Sequence, residues 1–546
     1  VLTERIDRLP DQTKRVAQTA AVLGREFPSD TLEAMCRSVP DPERIEHVQP
    51  HLLTLTYEDL VRRKGEAARS FRFKHALTRE AAYGLLLRAR RKQLHSLAGD
   101  ILEKEMEEGG RREELVPVVG LHFLEAGAMR KAAGYLAEAA RAARRVYALR
   151  EEGEHWEGVL KALDQMPDPA PGLLYEAVEK WIFVRTRLDE LEGVVGPEPD
   201  RTPSPWFLRA ERLARERGER AQLARLLSWI ANVYMRLGRT SKGMDQLRES
   251  ERLATELGDE HLMLLPLFLA TGALAEKDPT AAVAQSERVL DLARRNGDVG
   301  IEAHTLGIKA IALARLGRIG DSRRMLAEML EIAPRSGSRV KLADAHIAAA
   351  MAYNDMGDLD EAMKHGRIGA ELADAAHAIE CASFGYYEVG KTRLARRELE
   401  NAISDFRRSL EFGGTIVGGG WATYNNRIGS YVARTRFEQG GEDAVRDLER
   451  ALENARRDAD AFGVASISEL LAGALLRLSR ADEAVALLRD AADFYRRAGM
   501  TTYLARALEL SAQASEKGGH SEDALLAREE AASLRAGGPA AAAHGP

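Results

Sequence analysis

The string GYYEVGKT, Gly385–Thr392, has the spacing of a phosphate-binding loop. In such a loop glycines permit a tight backbone turn, a Lys reaches the phosphates and a Thr holds magnesium. A loop of that kind must leave a buried strand and open a helix. Here the string falls in the first helix of a hairpin whose second helix begins near Ala402, and Gly390 stands 40 residues after Ala350, at a small position of a repeat. No apolar strand ending in paired carboxylates accompanies it to hold the metal. The pattern therefore reads as helix, and a nucleotide-binding enzyme is the weakest of the functional alternatives. His47 and His51 are four apart, a spacing that can hold a metal on one helix face, but Pro50 lies between them and no Glu follows His47. They read as a packed or solvated pair. The cluster Gly413–Gly420 coincides with a stretched repeat interval and reads as a connector. The two cysteines, Cys36 and Cys381, lie far apart, which excludes a disulfide framework and a Cys-based zinc site and suits a reducing cytoplasm. No catalytic residue, metal or cofactor is assigned to this chain.

What positions these residues is a helical framework. Of 546 residues 45% are hydrophobic and 30% charged, too apolar for a disordered chain and too charged for a membrane protein. The longest apolar stretch, Leu262–Ala275, is 14 residues with Pro266 inside it, short of the roughly 20 that a membrane helix needs. Ala, Leu, Glu and Arg dominate, all strong helix formers. The net charge is −6, while residues 1–100 carry 18 basic and 14 acidic side chains, a local +4 that leaves −10 for the rest. That balance argues against a chain built wholly for nucleic acid.

Self-similarity sets the architecture. Small residues recur at Gly243, Ala282, Ser322, Ala362, Ala402, Ala444, Ala484 and Ala524, in steps of 39, 40, 40, 40, 42, 40 and 40. Turns of the type RLGR (Arg236–Arg239, Arg315–Arg318), DMGD (Asp355–Asp358) or LSRAD (Leu478–Asp482) precede most of them. Gly there ends one helix and polar residues start the next. Apolar residues at helical spacing flank each turn, as in Leu227, Ile230 and Tyr234 before and Met244, Leu247 and Leu253 after. A lone hairpin cannot bury its apolar faces, so successive hairpins must stack into a superhelix with a groove along one side. The segment Phe207–Glu219 matches Gln246–Asp259, so the array starts before residue 220, across a Pro-rich interruption at 193–205.

Ala231, Tyr234, Leu237–Gly238, Gly243 and Ser250 resemble the small, aromatic and Leu-Gly positions of the tetratricopeptide repeat. The resemblance spans residues 115–535 and departs from the family's length of roughly 34 residues by about six per unit, similar to the longer repeats of large bacterial ATP-dependent regulators. It implies that the first helix of each pair lines the concave side, which places Arg225, Asn232, Arg236, Met351, Asn354, Tyr387, Lys391, Asn426 and Arg436 on the groove. Mixed Arg, Asn and Tyr suit a protein or peptide or a polar small-molecule inducer. A groove that holds only water is the competing reading. If these positions are exposed, changing Arg236 and Lys391 to Ala leaves stability nearly unchanged.

Residues 1–110 do not share the period. Helical stretches at Gln12–Leu23, Ser29–Cys36 and Glu43–Leu55 precede two short segments, Asp59–Arg63 and Ser70–His75, around the loop KGEAA. Phe71 and Phe73 alternate with Arg72 and Lys74 as in a half-buried strand. Helices from Thr78 and Arg90 follow, so the pattern is three helices and a two-stranded wing. The strings IDRLP (Ile6–Pro10), AAVLGREF (Ala20–Phe27) and FRFKHALTREAAYGLLLRARRKQLH (Phe71–His95) resemble the winged-helix segment behind the nucleotide-binding core of signal-transduction ATPases, including those fused to bacterial class III adenylate or guanylate cyclases. The resemblance implies an interdomain role for Arg25, Lys74, His75 and Tyr83; the competing reading is that they knit the local fold. Because the chain opens at Val1, at a helix that closes the ATPase domain in that family, it is expected to be the C-terminal portion of a larger signalling protein.

The expected architecture is thus all-α, with helix above 70% and the wing as its sheet. A winged-helix module (1–110) is followed by first helical hairpins (111–192), the interruption (193–205), the tetratricopeptide-like α-solenoid (206–535) and a disordered tail (536–546). The expected function is a non-catalytic sensor and scaffold coupled to its own upstream ATPase domain, cytoplasmic and without a membrane partner. The alternative is a DNA-contacting transcriptional regulator. Glu43, Glu46 and Pro50 in the segment that would read the groove argue against nucleic acid.

Overall fold

The computed structural model describes residues 2–40, 43–64, 69–109, 111–146, 148–187, 202–414 and 419–537. Most of the interruption at 193–205, the middle of the Gly413–Gly420 cluster, the KGEAA loop beyond Lys64 and the tail beyond Gly537 lie outside them. Helix makes up 82% of the chain, in 27 α-helices among the described residues. None of these is long and apolar enough to cross a membrane. The chain divides into two units, Val1–Val184 and Arg185–Pro546.

In the first unit, short helices surround a small antiparallel sheet of three strands, β1 (Glu26–Pro28), β2 (Val61–Arg63) and β3 (Ser70–Phe73), in the order β1-β3-β2. The expected two-stranded pairing is present as β2 with β3, Arg62 opposite Arg72. The third strand is an addition: Phe27 pairs with Phe71 across β1 and β3. Three residues give too little alternation to be read from sequence, yet Phe27 is fully buried and its ring lies 5.5 Å from Phe73. The third helix also differs from expectation, running Gln49–Tyr57 with Pro50 in its first turn. Proline lacks only an N–H that the first turn leaves unbonded, so Pro50 opens this helix instead of interrupting it. Longer helices, from Arg88–Gly109 through Leu149–Asp164 to most of Pro171–Arg187, complete the unit.

The second unit holds eight hairpins, here numbered one to eight: Arg220–Arg236 with Thr240–Leu257, Glu260–Leu274 with Pro279–Asn296, Val299–Arg315 with Ile319–Ile332, Arg339–Met356 with Leu359–Ala375, Ile379–Ala395 with Leu399–Gly413, Gly419–Glu438 with Ala444–Arg457, Ala461–Arg477 with Ala481–Arg497, and Thr501–Lys517 with Ser521–Arg535. The eight small residues that carry the period lie in the first turn of the second helix and are all buried. The reason is close approach: a Cβ at Gly243 would stand 2.7 Å from Met235 and 3.0 Å from the Ala231 carbonyl oxygen. Gly238, Gly317 and Gly357 turn each chain in the left-handed region, with φ of 75°, 74° and 77°, where a Cβ is disfavoured.

Stacking alone does not describe this unit, because hairpins four and five apart also touch. Arg236 of hairpin one donates to Glu380 of hairpin five at 2.8 Å. Arg427 of hairpin six meets Glu276 in the turn of hairpin two. Thr502 of hairpin eight donates to the Ala314 carbonyl of hairpin three at 2.6 Å, and Tyr503 donates to Asp355 of hairpin four. One turn of the superhelix therefore closes onto the next. The expected open groove becomes a walled interior.

Candidate functional site

The interior contains a cavity of about 430 Å³, a size within the range of small-molecule pockets, roughly 300–1,000 Å³. Every hairpin contributes to its wall. Asn232, Met235 and Arg236 come from hairpin one, Glu276 from the turn of two, Arg315 from three and Met351 from four. Hairpin five supplies Glu380, Phe384, Tyr387, Glu388 and Lys391, hairpin six Thr423, Tyr424, Arg427 and Tyr431, hairpin seven Phe462 and Ser466, and hairpin eight Tyr503. All but Glu276 stand on first helices, as the repeat reading expected of the concave side.

Of the nine groove positions read from sequence, Asn232, Arg236, Met351, Tyr387 and Lys391 line the cavity. The other four do not. Asn354 lies beneath the wall, where its amide donates to the Glu388 backbone and side-chain oxygens at 3.0 and 2.8 Å. Asn426 is one residue from Arg427, about 100° round the helix, and donates instead to the Ala451 carbonyl of its own hairpin at 2.8 Å. Arg436 pairs with Asp447 and Asp443 at 2.8 and 3.0 Å. Arg225 is exposed two turns before Asn232.

The wall combines aromatic rings with ion pairs. Tyr387 packs against Tyr424 and Tyr431, each with centroids 5.4 Å away, and Phe384 lies 4.4 Å from Tyr424. Lys391 donates to both oxygens of Glu388 at 3.0 and 2.9 Å and sits 5.2 Å from the Tyr387 ring centre. Burial pushes the ammonium pKa down, but the neighbouring Glu388 outweighs it and the net shift is upward. Arg427 holds Glu276 at 3.0 and 3.1 Å and Asp460 at 2.7 Å. Burial pushes the Glu276 carboxyl up; the Arg427 charge opposes this and sets it at about 2. Arg315, only 5% exposed, donates to Asp355 at 3.2 Å and to the Ala275 carbonyl at 2.9 Å. Its guanidinium and that of Arg427 both lie against Phe462, 5.0 and 5.2 Å from the ring centre. The expectation that Arg236 and Lys391 are exposed is corrected here: both are partly buried and paired, and Glu388 behind Lys391 is 1% exposed.

The phosphate-loop string is helical throughout, within Ile379–Ala395. Its glycines serve packing: a Cβ at Gly385 would meet the Ala370 Cα at 2.8 Å, and one at Gly390 the Phe406 ring at 2.6 Å. Thr392 donates to the Glu388 carbonyl and to Asn354, and helical hydrogen bonding engages the N–H groups that a phosphate would need. His47 precedes the helix that carries His51, so the two do not share a helix face, and His51 is 3.0 Å from the Thr13 hydroxyl. Among the described residues no group of three metal-binding side chains occurs.

In the first unit the four residues singled out by resemblance have separate surroundings. Lys74 pairs with Asp59. The half-buried Tyr83 ring lies 4.6 Å from Arg91 and its hydroxyl is 3.0 Å from His95. Arg25 and His75 are exposed, with the Arg25 carbonyl accepting from Phe73 N–H at 2.9 Å.

Nine of the lining residues could have been found by adding one repeat to another: Met351, Lys391 and Tyr431 are 40 apart, as are Arg236 and Glu276, Tyr387 and Arg427, and Phe384 and Tyr424. Arg315, Phe462 and Tyr503 carry no such signal.

No family model and no curated protein matches the chain. Solved structures do. A Rap protein complexed with competence and sporulation factor aligns at 11% identity over 67% of this chain and 98% of that one, with a TM-score of 0.50. The apo quorum sensor NprR from B. thuringiensis aligns at 15% identity over 66% and 97%, with a TM-score of 0.42. A signal transduction ATPase with numerous domains and a tetratricopeptide repeat sensor, from Pyrococcus horikoshii, aligns at 14% identity over 82% of this chain, with a TM-score of 0.38. The match spans 63% of that ATPase's length. At such identities the likeness is one of fold, and the fold it shows is that of a tetratricopeptide-like helical-repeat array.

Proposed function

We propose that the chain is the sensor portion of a signalling ATPase: the array receives a ligand or partner in its interior, and residues 1–110 act as a winged helix that passes the response to an ATPase core. The observation that carries this reading is the convergence of all eight hairpins on one cavity. A molecule bound there touches helices from both turns of the superhelix at once, so it must favour one pitch over another. A difference in affinity between two pitches is what a sensor needs. Coupling through the first module is supported by its exposed apolar side chains, Leu53, Tyr57 and Leu77, which mark surfaces that meet other proteins. Arg25, Lys74, His75 and Tyr83 belong to that coupling surface in this reading.

The test is a thermal-shift screen of peptides and small metabolites on the full chain, run beside a Met351→Trp variant whose added ring fills part of the cavity. The sensor reading expects a compound that raises the melting temperature of the native chain and leaves the variant unmoved. A screen in which every hit stabilises both proteins equally removes the cavity from the function. Salt-independent absence of DNA binding by the full chain is the companion expectation, since phosphate contacts give affinities that fall steeply with salt.

A further inference from the structure

Resting on that sensor reading, the geometry points to a small organic anion as the cavity's ligand: one carboxylate or comparable acidic group on an apolar body of about one ring. The recognition centre is Arg315. A guanidinium carries five N–H donors in a planar fork. Arg315 directs Nε to Asp355 and one terminal nitrogen to the Ala275 carbonyl, while its other terminal nitrogen meets no hydrogen-bond partner among the described residues. The side chain is 5% exposed and lines the cavity. An open terminal nitrogen on a buried cation is best satisfied by an acidic oxygen, which accepts a hydrogen bond roughly twice as strong as a neutral one.

The remaining charges select against the opposite sign. Glu388 already accepts from Lys391 and Asn354, Glu276 accepts two bonds from Arg427, and Glu380 accepts from Arg236. An incoming ammonium would compete with these cations for acids that they hold. Nor is the aromatic wall a vacant cage, because Lys391 already lies over Tyr387 and Arg427 over Phe462.

The rest of the wall describes the body of the ligand. The rings of hairpins five and six, with Met235 and Met351, give an apolar lining suited to a flat or compact group. The Tyr387 and Tyr431 hydroxyls and the Asn232 amide meet no hydrogen-bond partner among the described residues, so neutral polar contacts remain for a second oxygen or a ring substituent. A cavity of about 430 Å³ sits near the lower end of the small-molecule range and favours a single-ring compound over an extended chain.

The experiment is titration calorimetry of the full chain with phenylacetate, its neutral analogue phenylacetamide and its cationic analogue phenethylamine. Phenylacetate is expected to bind at least about tenfold more tightly than the amide, with no saturable heat from the amine. Arg315→Lys keeps the charge and loses the fork, and should abolish the preference for acid over amide. Should that variant fail to fold, Tyr431→Phe removes a single hydroxyl from the wall and is expected to weaken phenylacetate severalfold with an unchanged helical spectrum. Equal binding of acid and amide, or preference for the amine, overturns the anion assignment; if Met351→Trp abolishes that binding, the sensor reading survives. Binding of any probe that Met351→Trp leaves intact places the site elsewhere and overturns both. Absence of binding by all three probes overturns the anion assignment, and the screen above then decides the sensor reading independently.

Discussion

Arg427 and Glu276 stand 151 positions apart and meet through two hydrogen bonds of 3.0 and 3.1 Å. Arg427 also holds Asp460, which is 6% exposed. Replacing the arginine by Met leaves two carboxylates around an apolar side chain. Breaking a buried pair from one side costs roughly 3–5 kcal/mol, and because Glu276 is 40% exposed the lower end of that range applies. The Arg427→Met variant should therefore lose about 3 kcal/mol in urea denaturation. Glu276→Gln, which leaves the Asp460 pair in place, should lose clearly less; equal losses would show that the cross-turn contact is not what the arginine stabilises.

Acid should destabilise the protein in two windows. Burial, and secondarily neighbouring positive charge, lowers the folded-state values of His95, His122 and His346 from 6.5 to about 4. Between those values the unfolded chain binds protons that the folded one refuses. The stability these neutral histidines preserve is complete above pH 6.5 and falls as pH drops toward 4, by about 1.4 kcal/mol per pH unit for each proton taken up only on unfolding. His122→Leu should flatten the slope of the urea midpoint against pH in that window. Glu276 acts lower: its value of about 2 lies below the ordinary 4.5, so its contribution is whole above pH 4.5 and is lost as pH falls toward 2.

Glycines in helices should divide by what faces them. At Gly385 an added Cβ meets the Ala370 backbone, and Gly385→Ala is expected to cost about 1–3 kcal/mol through overpacking. At Gly134, inside the helix Met129–Arg145, nothing lies within 4 Å of the added carbon. Gly134→Ala should instead raise stability by up to about 1 kcal/mol. Chemical denaturation of the two variants, with opposite signs of change, checks both.

Mg-ATP should give no saturable heat with this chain. Lys391 is bound to Glu388 in a helix that the packing of Gly390 on Phe406 holds shut. Lys391→Ala should leave the blank titration unchanged while lowering stability, by about 3 kcal/mol, because Glu388 is left buried without its cation. Micromolar ATP binding abolished by this substitution would overturn the helical placement of the string.

Local periodicity made the hairpins legible, because each buries its own small residue against its own first helix, as Gly243 does against Met235. Carried along the first helices, it also reaches five of the eighteen lining residues, Asn232, Arg236, Met351, Tyr387 and Lys391. It could not locate Arg315 against Phe462 or Tyr503 against Asp355, since these contacts depend on how many hairpins complete one turn of the superhelix. That number follows from small rotations summed over four units, and no single window of sequence contains it. The strand Glu26–Pro28 escapes a local reading for a different reason: its order comes from Phe27 pairing with Phe71, 44 positions on, over a core that the helices on both sides of it share.

Solenoids ordinarily lengthen by duplicating a unit, because each unit answers only to its neighbours. The contacts between hairpins one and five, two and six, and four and eight remove that freedom. A unit inserted after hairpin two would carry Arg427 one place past Glu276 and Tyr503 would still find Asp355, so the two halves of the interior would fall out of step. In its tolerance of copy number this array behaves less like an extendable rod than like a ring, whose members are counted by the requirement that the last must meet the first.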